Sequence, residues 1–250
     1  MRWSDLMGVQ QKKKGLLLIL ILLLALTGMV LIGAEIFQIN EITVLGNEKI
    51  VYNDIVNRSG IVYGDNIFKL DKELVEKRIE ANPYLDVISI VRKYPDQVII
   101  TVRERQAAAI IPYLNSYFII DKEGYILEIK SEQGVIDYPI IQGITISSFV
   151  VGKKIAVNEE YQLTALQRIL NAVYELELQD QISEIRMENV DDIYIMLNTG
   201  IQVRIGQAID VEKKLIWLKS EDVQKTINGV LGGVLDVSAA SQPVFYPGGS

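Results

Sequence analysis

The sequence predicts an α+β protein: an N-terminal transmembrane helix, then a β-α-α-β-β unit, then a mixed, mostly antiparallel β domain with flanking helices. Three observations predict it. Residues Gly15–Ala34 form an uncharged, almost wholly apolar run. Residues 38–105 alternate as strands around two short helical patterns. Residues 106–241 carry many short strand patterns and one long amphipathic stretch.

The run of 20 uncharged residues from Gly15 to Ala34 is long enough, at about 1.5 Å per residue, to cross a hydrocarbon core of roughly 30 Å. Arg2, Lys12, Lys13 and Lys14 precede it against one acid, Asp5, while Glu35, Glu41 and Glu48 follow it. The positive-inside rule therefore predicts a cytoplasmic tail over 1–14, a span over 15–36 and an exterior remainder. A secretory signal has a shorter apolar core and a better small-x-small site than Ile32-Gly33-Ala34. The expected state is a retained, single-pass type II anchor in the cell membrane.

The first exterior unit opens with Ile39–Leu45, whose alternation predicts a strand ending at Gly46-Asn47. Asn53 is placed to cap a helix to Ser59, closed by Gly60. Asp71 caps a second helix with Leu74, Val75, Arg78 and Ile79 on one face, which stops before Asn82-Pro83. Strands Val87–Arg92 and Gln97–Arg103 follow, joined through Lys93-Tyr94-Pro95-Asp96.

In the second unit, Ala107–Ile111 and Tyr117–Ile120 read as strands. Asp121-Lys122-Glu123-Gly124 reads as a hairpin turn before Tyr125–Ile129, and Pro139–Gln142 is extended. Asn158 is placed to cap a helix from Glu159 to about Leu178 with Leu163, Leu166, Ile169, Leu170, Val173 and Leu176 inward. Strands Ile182–Met187, Ile193–Leu197 and Ile201–Ile205 follow, the last two joined at Asn198-Thr199-Gly200. A helix runs from Val211 to about Lys219 and restarts over Glu221–Ile227. Val234–Ser238 is the last strand predicted, and residues 242–250 read as a frayed tail.

Composition narrows the chemistry. The chain has 250 residues, no Cys and no His, which removes disulfides, thiolate nucleophiles, Ser-His-Asp arrangements and the commonest metal ligand. Carboxylate-only or Ser-Lys catalysis remains formally open. The adjacent acids Asp191-Asp192, Glu159-Glu160 and Glu221-Asp222 are explained by turns and helix starts. The Asp121–Gly124 turn lacks the alternating oxygens of a calcium loop, and the glycines at 229, 232 and 233 match no phosphate-binding pattern. No cofactor, metal or catalytic residue is expected. Residues 1–34 carry four basic groups and one acid (+3), and residues 35–250 carry 21 basic and 31 acidic (−10). An acidic exterior is a poor nucleic-acid binder.

Two surfaces are candidates for binding. Arg92-Lys93-Tyr94-Pro95, with Arg103 and Arg105, is a basic hairpin that either protects a strand edge or meets an acidic partner or lipid headgroups. Val234–Ser238 is either an open edge that a partner strand extends, with Phe245 or Tyr246 as an aromatic anchor, or a strand paired on both sides with Phe245 packed on the domain. Pattern alone does not choose.

Several segments in order carry a resemblance. They are Ile42-x-Val44-x-Gly46-Asn47, Gly60-Ile61-x-x-Gly64-x-Asn66-Ile67-Phe68-x-Leu70-Asp71, Tyr94-Pro95 and Val102-x-Glu104-Arg105. Further on come Phe118-Ile119-Ile120-Asp121-x-x-Gly124-x-Ile126-Leu127, Pro139-Ile140-Ile141-x-Gly143, Lys213-Lys214-Leu215 and Leu235-Asp236-Val237-Ser238. With the anchor, this set resembles the FtsQ/DivIB family of bacterial cell-division proteins, with a POTRA domain over 38–105 and a β domain over 106–241. The resemblance implies a non-enzymatic divisome scaffold, enriched at the septum, that binds FtsL-like and FtsB/DivIC-like proteins and bears indirectly on septal peptidoglycan synthases. It implies partner contacts at Leu235, Val237, Ser238 and Phe245, and recruitment near the membrane through Arg92, Tyr94 and Pro95. The competing expectation is an anchored POTRA module that binds extended secreted polypeptides as a chaperone-like receptor.

Overall fold

The computed structural model describes residues 19–24, 28, 35–131 and 138–248. The expected span over 15–36 lies mostly outside them: residues 19–24 are helical, and no helix of the described residues is long and apolar enough to cross a membrane. The chain divides into two compact units, residues 1–79 with 87–104, and residues 80–86 with 105–250.

The first unit is a three-stranded sheet with two helices. Strand β1 (Glu41–Leu45) is parallel to β3 (Gln97–Glu104), which lies between β1 and β2 (Leu85–Lys93). Parallel neighbours need a crossover, and helices α1 (Tyr52–Ser59) and α2 (Lys72–Ile79) supply it. β3 alternates as a half-buried strand should: Val98, Ile100 and Val102 are buried, as are Ile42, Ile55, Ile67, Val75 and Ile79 of the same unit. Gly60 closes α1 at φ 66°, a conformation that favours glycine. Asp71 caps α2 as expected, accepting from Leu74 N at 3.1 Å. Asn53 does not cap α1. The helix starts at Tyr52, whose hydroxyl donates to Ile42 O at 2.7 Å and ties the first turn to β1, which leaves Asn53 inside that turn. Leu74 faces solvent beside the buried Val75 and Ile79.

The second unit is a nine-stranded mixed sheet. Its strands are β4 (Ala107–Tyr113), β5 (Ser116–Asp121), β6 (Ile126–Lys130), β7 (Ile140–Gln142), β10 (Ile182–Arg186), β11 (Ile193–Leu197), β12 (Gln202–Gly206), β13 (Gly233–Asp236) and β14 (Val244–Pro247). Their spatial order is β14-β13-β12-β11-β10-β7-β4-β5-β6, and β8 (Ile146–Ser148) pairs separately with β9 (Ala156–Val157). Helix α3 (Glu160–Glu175) buries Leu166, Ile169, Leu170 and Val173 in one continuous core with the sheet and with helices α4 (Val211–Leu215) and α5 (Glu221–Ile227). That stripe is the one read from the sequence, but both ends of the helix shift. Asn158 N donates to Thr145 O at 3.1 Å beside the β8–β9 pair, so the helix begins at Glu160. It ends at Glu175 because Glu177 turns left-handed (φ 50°), and Leu178 N closes back on Val173 O at 2.9 Å.

Residues 242–248 do not fray. Val244–Pro247 pairs antiparallel with β13 (Val234↔Tyr246, Leu235↔Phe245) as a fourteenth strand. The signal was faint: Val244-Phe245-Tyr246 are all strand formers, but the run is short and lies between two prolines.

Candidate protein-binding edge

β13 is assembled late in the chain yet sits inside the sheet. It is parallel to β12 (Val203↔Leu235), a pairing that needs the long crossover through α4 and α5. On its other side it carries β14. Leu235 and Val237 are buried in the core, and Phe245 packs against that core. Of the two sequence readings of Val234–Ser238, the structure shows the strand paired on both sides.

The structure places the expected contact residues as follows. Leu235 and Val237 have no surface to offer. Ser238 is spent locally, its N–H donating to Asp236 Oδ1 at 2.9 Å. Phe245 lies over Gly233, where an added Cβ would come within 2.9 Å of its ring and 2.8 Å of Tyr246 O; Gly233 sits at φ 118°. The close approach and the backbone angle both call for glycine there.

A charge ladder holds this end of the sheet. Arg204 of β12 donates to Asp192 at 2.6 Å and to Asp236 of β13 at 2.9 Å. Those hydrogen bonds, the one to Asp192 foremost, push the guanidinium further up. Burial alone would raise Asp236, but hydrogen bonds from Ser238 and Arg204 hold its carboxyl below the usual range. Asp191 instead accepts from Gln207 at 2.6 Å, so the Asp191-Asp192 pair serves two separate structural contacts.

The ends of the nine-stranded order are β14 and β6. At β14, Val244 and Tyr246 are exposed, and Leu231, two residues before β13, is 91% exposed. A strand at a sheet end presents unpaired N–H and C=O groups, and Val244 and Tyr246 lie on that strand. Sequence reading missed Val244 and Leu231 and ranked Tyr246 behind Phe245, because which of two strands is outermost is a property of the sheet.

The basic hairpin is also redistributed. Arg92 turns inward and donates to Leu70 O. Tyr94 and Pro95 stay on the surface, Tyr94 stacked on Phe68 at 5.1 Å. Arg105 is no surface charge: it is 7% exposed, donates to Asp86 at 2.6 Å and Asp121 at 2.8 Å, and lies 3.7 Å from the Tyr125 ring. The Asp121 turn is read correctly, since Asp121 Oδ1 accepts from Glu123 N at 2.9 Å and Tyr125 N at 2.8 Å around Gly124. Among the described residues no group of acidic, His or Cys side chains is placed to hold a metal ion.

These features define a small helix-pair-on-sheet unit followed by a larger sheet unit. Comparison with known proteins gives that pair its class: residues 37–105 match the FtsQ-type POTRA domain, and residues 109–228 match the C-terminal domain of cell division protein FtsQ/DivIB. The chain is 29% identical over 251 residues to the cell division protein DivIB of Clostridium botulinum, covering 97% of this chain and 96% of that protein. It is 28% identical to the DivIB of Clostridium tetani (84% of this chain, 79% of that one). It is 29% identical to the cell division protein FtsQ of Syntrophotalea carbinolica (72% and 63%). The chain belongs to the FtsQ/DivIB family of bacterial cell-division proteins. The C-terminal match ends at residue 228, before β13 and β14.

Proposed function

We propose that the chain is a non-enzymatic, membrane-anchored scaffold of the division machinery at the septum, and that its second unit binds partners by strand addition at β14. The observation that carries this reading is the exposed end strand Val244–Pro247, with Tyr246 and Val244 outward, in a chain of a cell-division family. The partners proposed are an FtsL-like and an FtsB/DivIC-like protein, and through them septal peptidoglycan synthesis. The hairpin at Tyr94-Pro95 works close to the membrane.

The test borrows what natural sheet edges carry against unwanted pairing: lysines at both exposed positions block strand addition without touching the core. Val244→Lys with Tyr246→Lys in the full chain is expected to cut co-purification of both partners at least tenfold, with the melting temperature unchanged. Undiminished co-purification would refute the edge. A fluorescent fusion at the N-terminus tests the class: a septal band supports the scaffold, whereas an even membrane ring favours the anchored receptor for secreted polypeptides. That receptor would also bind many extended peptides with similar affinity, because a bare strand edge reads backbone and not sequence.

A further inference from the structure

Three aromatic rings from three segments of the first unit meet at its surface. Phe37 lies four residues before β1, Phe68 lies in the single turn Ile67–Lys69, and Tyr94 lies in the β2–β3 turn. Their centroids are 4.9 Å (Phe37–Phe68), 5.1 Å (Phe68–Tyr94) and 6.4 Å (Phe37–Tyr94) apart. Such a cluster normally closes a core. Here Phe68 and Tyr94 are each 53% exposed, and the neighbouring Ile36 is 50% exposed.

Its position in the chain identifies what it faces. Phe37 comes three residues after Ala34, the end of the uncharged run, and residues 35 and 36 are helical. At about 1.5 Å of helical rise per residue, three residues advance the chain by roughly 5 Å, from the apolar run into the headgroup level where aromatic belts sit. The Phe68 turn is held to the same point: Ile67 N donates to Phe37 O at 2.9 Å, and Gln38 bridges Asn66. Lys69 and Lys93 flank the rings in sequence, but Asp65 and Asp96 offset them, so apolar partitioning and not charge is the attraction.

We propose that Phe37, Phe68 and Tyr94 form an interfacial seat that docks the first unit onto the headgroup layer of the bilayer holding the anchor. The proposal rests on reading residues 15–36 as a retained anchor, and its test separates the two. The chain has no cysteine, so single nitroxide labels can be placed at Lys69→Cys and Lys49→Cys in the full chain. Lys49 marks the far end of the sheet: Asn40 N bonds Asp96 O beside the hairpin, whereas Lys49 N bonds Glu104 at the other end of β1, a strand length of about 17 Å away.

In nanodiscs with nickel-chelating headgroup lipids, relaxation at position 69 is expected to exceed that at 49 at least threefold, equally at low and high salt. Phe68→Ser with Tyr94→Ser removes the difference, and both sites being exposed, the melting temperature stays put. Alkaline carbonate washing reports the anchor independently: a chain that washes off loses the anchor and the seat with it. A chain that stays in the membrane with equal relaxation at 69 and 49 overturns the seat alone. Protection of position 69 that needs another division protein overturns it in favour of protein recruitment.

Discussion

Replacing Arg105 by methionine tests whether a buried charge organises the second unit. Methionine keeps most of the side chain's volume, so the loss is chiefly electrostatic. The guanidinium is 7% exposed and bridges Asp86 and Asp121, themselves 17% and 5% exposed. Removing one partner of a buried pair costs about 3–5 kcal/mol, because the remaining charge stays buried. Asp121 keeps its two amide donors, Glu123 and Tyr125, which offsets part of this, while the contact over the Tyr125 ring is lost. The balance is a loss of about 3 kcal/mol, or roughly 6–12 °C for a unit of this size. Trp217, half-buried and donating to Ala240 O at 3.0 Å, reports unfolding of this unit in a Trp3→Phe background. Adding Asp121→Asn preserves the oxygen that accepts the two amides and removes the stranded charge. The double variant should therefore recover at least about 1 kcal/mol of the loss. A cost below about 1 kcal/mol for Arg105→Met, or strict additivity in the double variant, would refute the reasoning.

Three further outcomes are expected. Glu104 accepts from the amides of Glu48 (2.7 Å), Lys49 (3.0 Å) and Ile50 (2.8 Å); burial opposes its charge, but these bonds win and hold its carboxyl low. Its stabilisation is thus complete above the ordinary glutamate value of about 4.3 and fades as pH falls through the lower folded value; Glu104→Gln should cost about 1 kcal/mol at neutral pH, discounted for partial exposure, and flatten that acid dependence in amide exchange at Lys49 and Ile50. Gly233→Ala should release β14, because the methyl meets Tyr246 O and Phe245 at a φ of 118°; faster amide exchange at Phe245 and Tyr246 with the α3 core still protected is the readout. Leu170→Ala, fully buried on α3, should lower stability by about 2–5 kcal/mol in urea unfolding followed at Trp217.

Local pattern was enough wherever a residue's own neighbours decide its place. The apolar stripe of α3, the alternation of β3, the Asp71 cap and the Asp121 turn were all legible, because each depends on contacts a few residues apart. Helix starts at Asn53 and Asn158 were misread because long-range bonds, Tyr52 to Ile42 and Asn158 to Thr145, overrode local capping preference. Arg105 looked like surface charge because the acids that bury it lie 16 and 19 residues away.

By itself, then, the sequence determined the α+β class, the absence of cysteine and histidine chemistry, the order of nearly every element and the resemblance that the family matches bear out. Only the tertiary structure decided which strand ends the sheet. β13 reads as a terminal strand and carries the recognisable Leu235-Asp236-Val237-Ser238, yet β14 covers it and moves the exposed edge to Val244–Pro247. The reason is physical: side-chain alternation states which residues face a core, but strand neighbours are joined by backbone hydrogen bonds that every residue can accept and every residue except proline can donate.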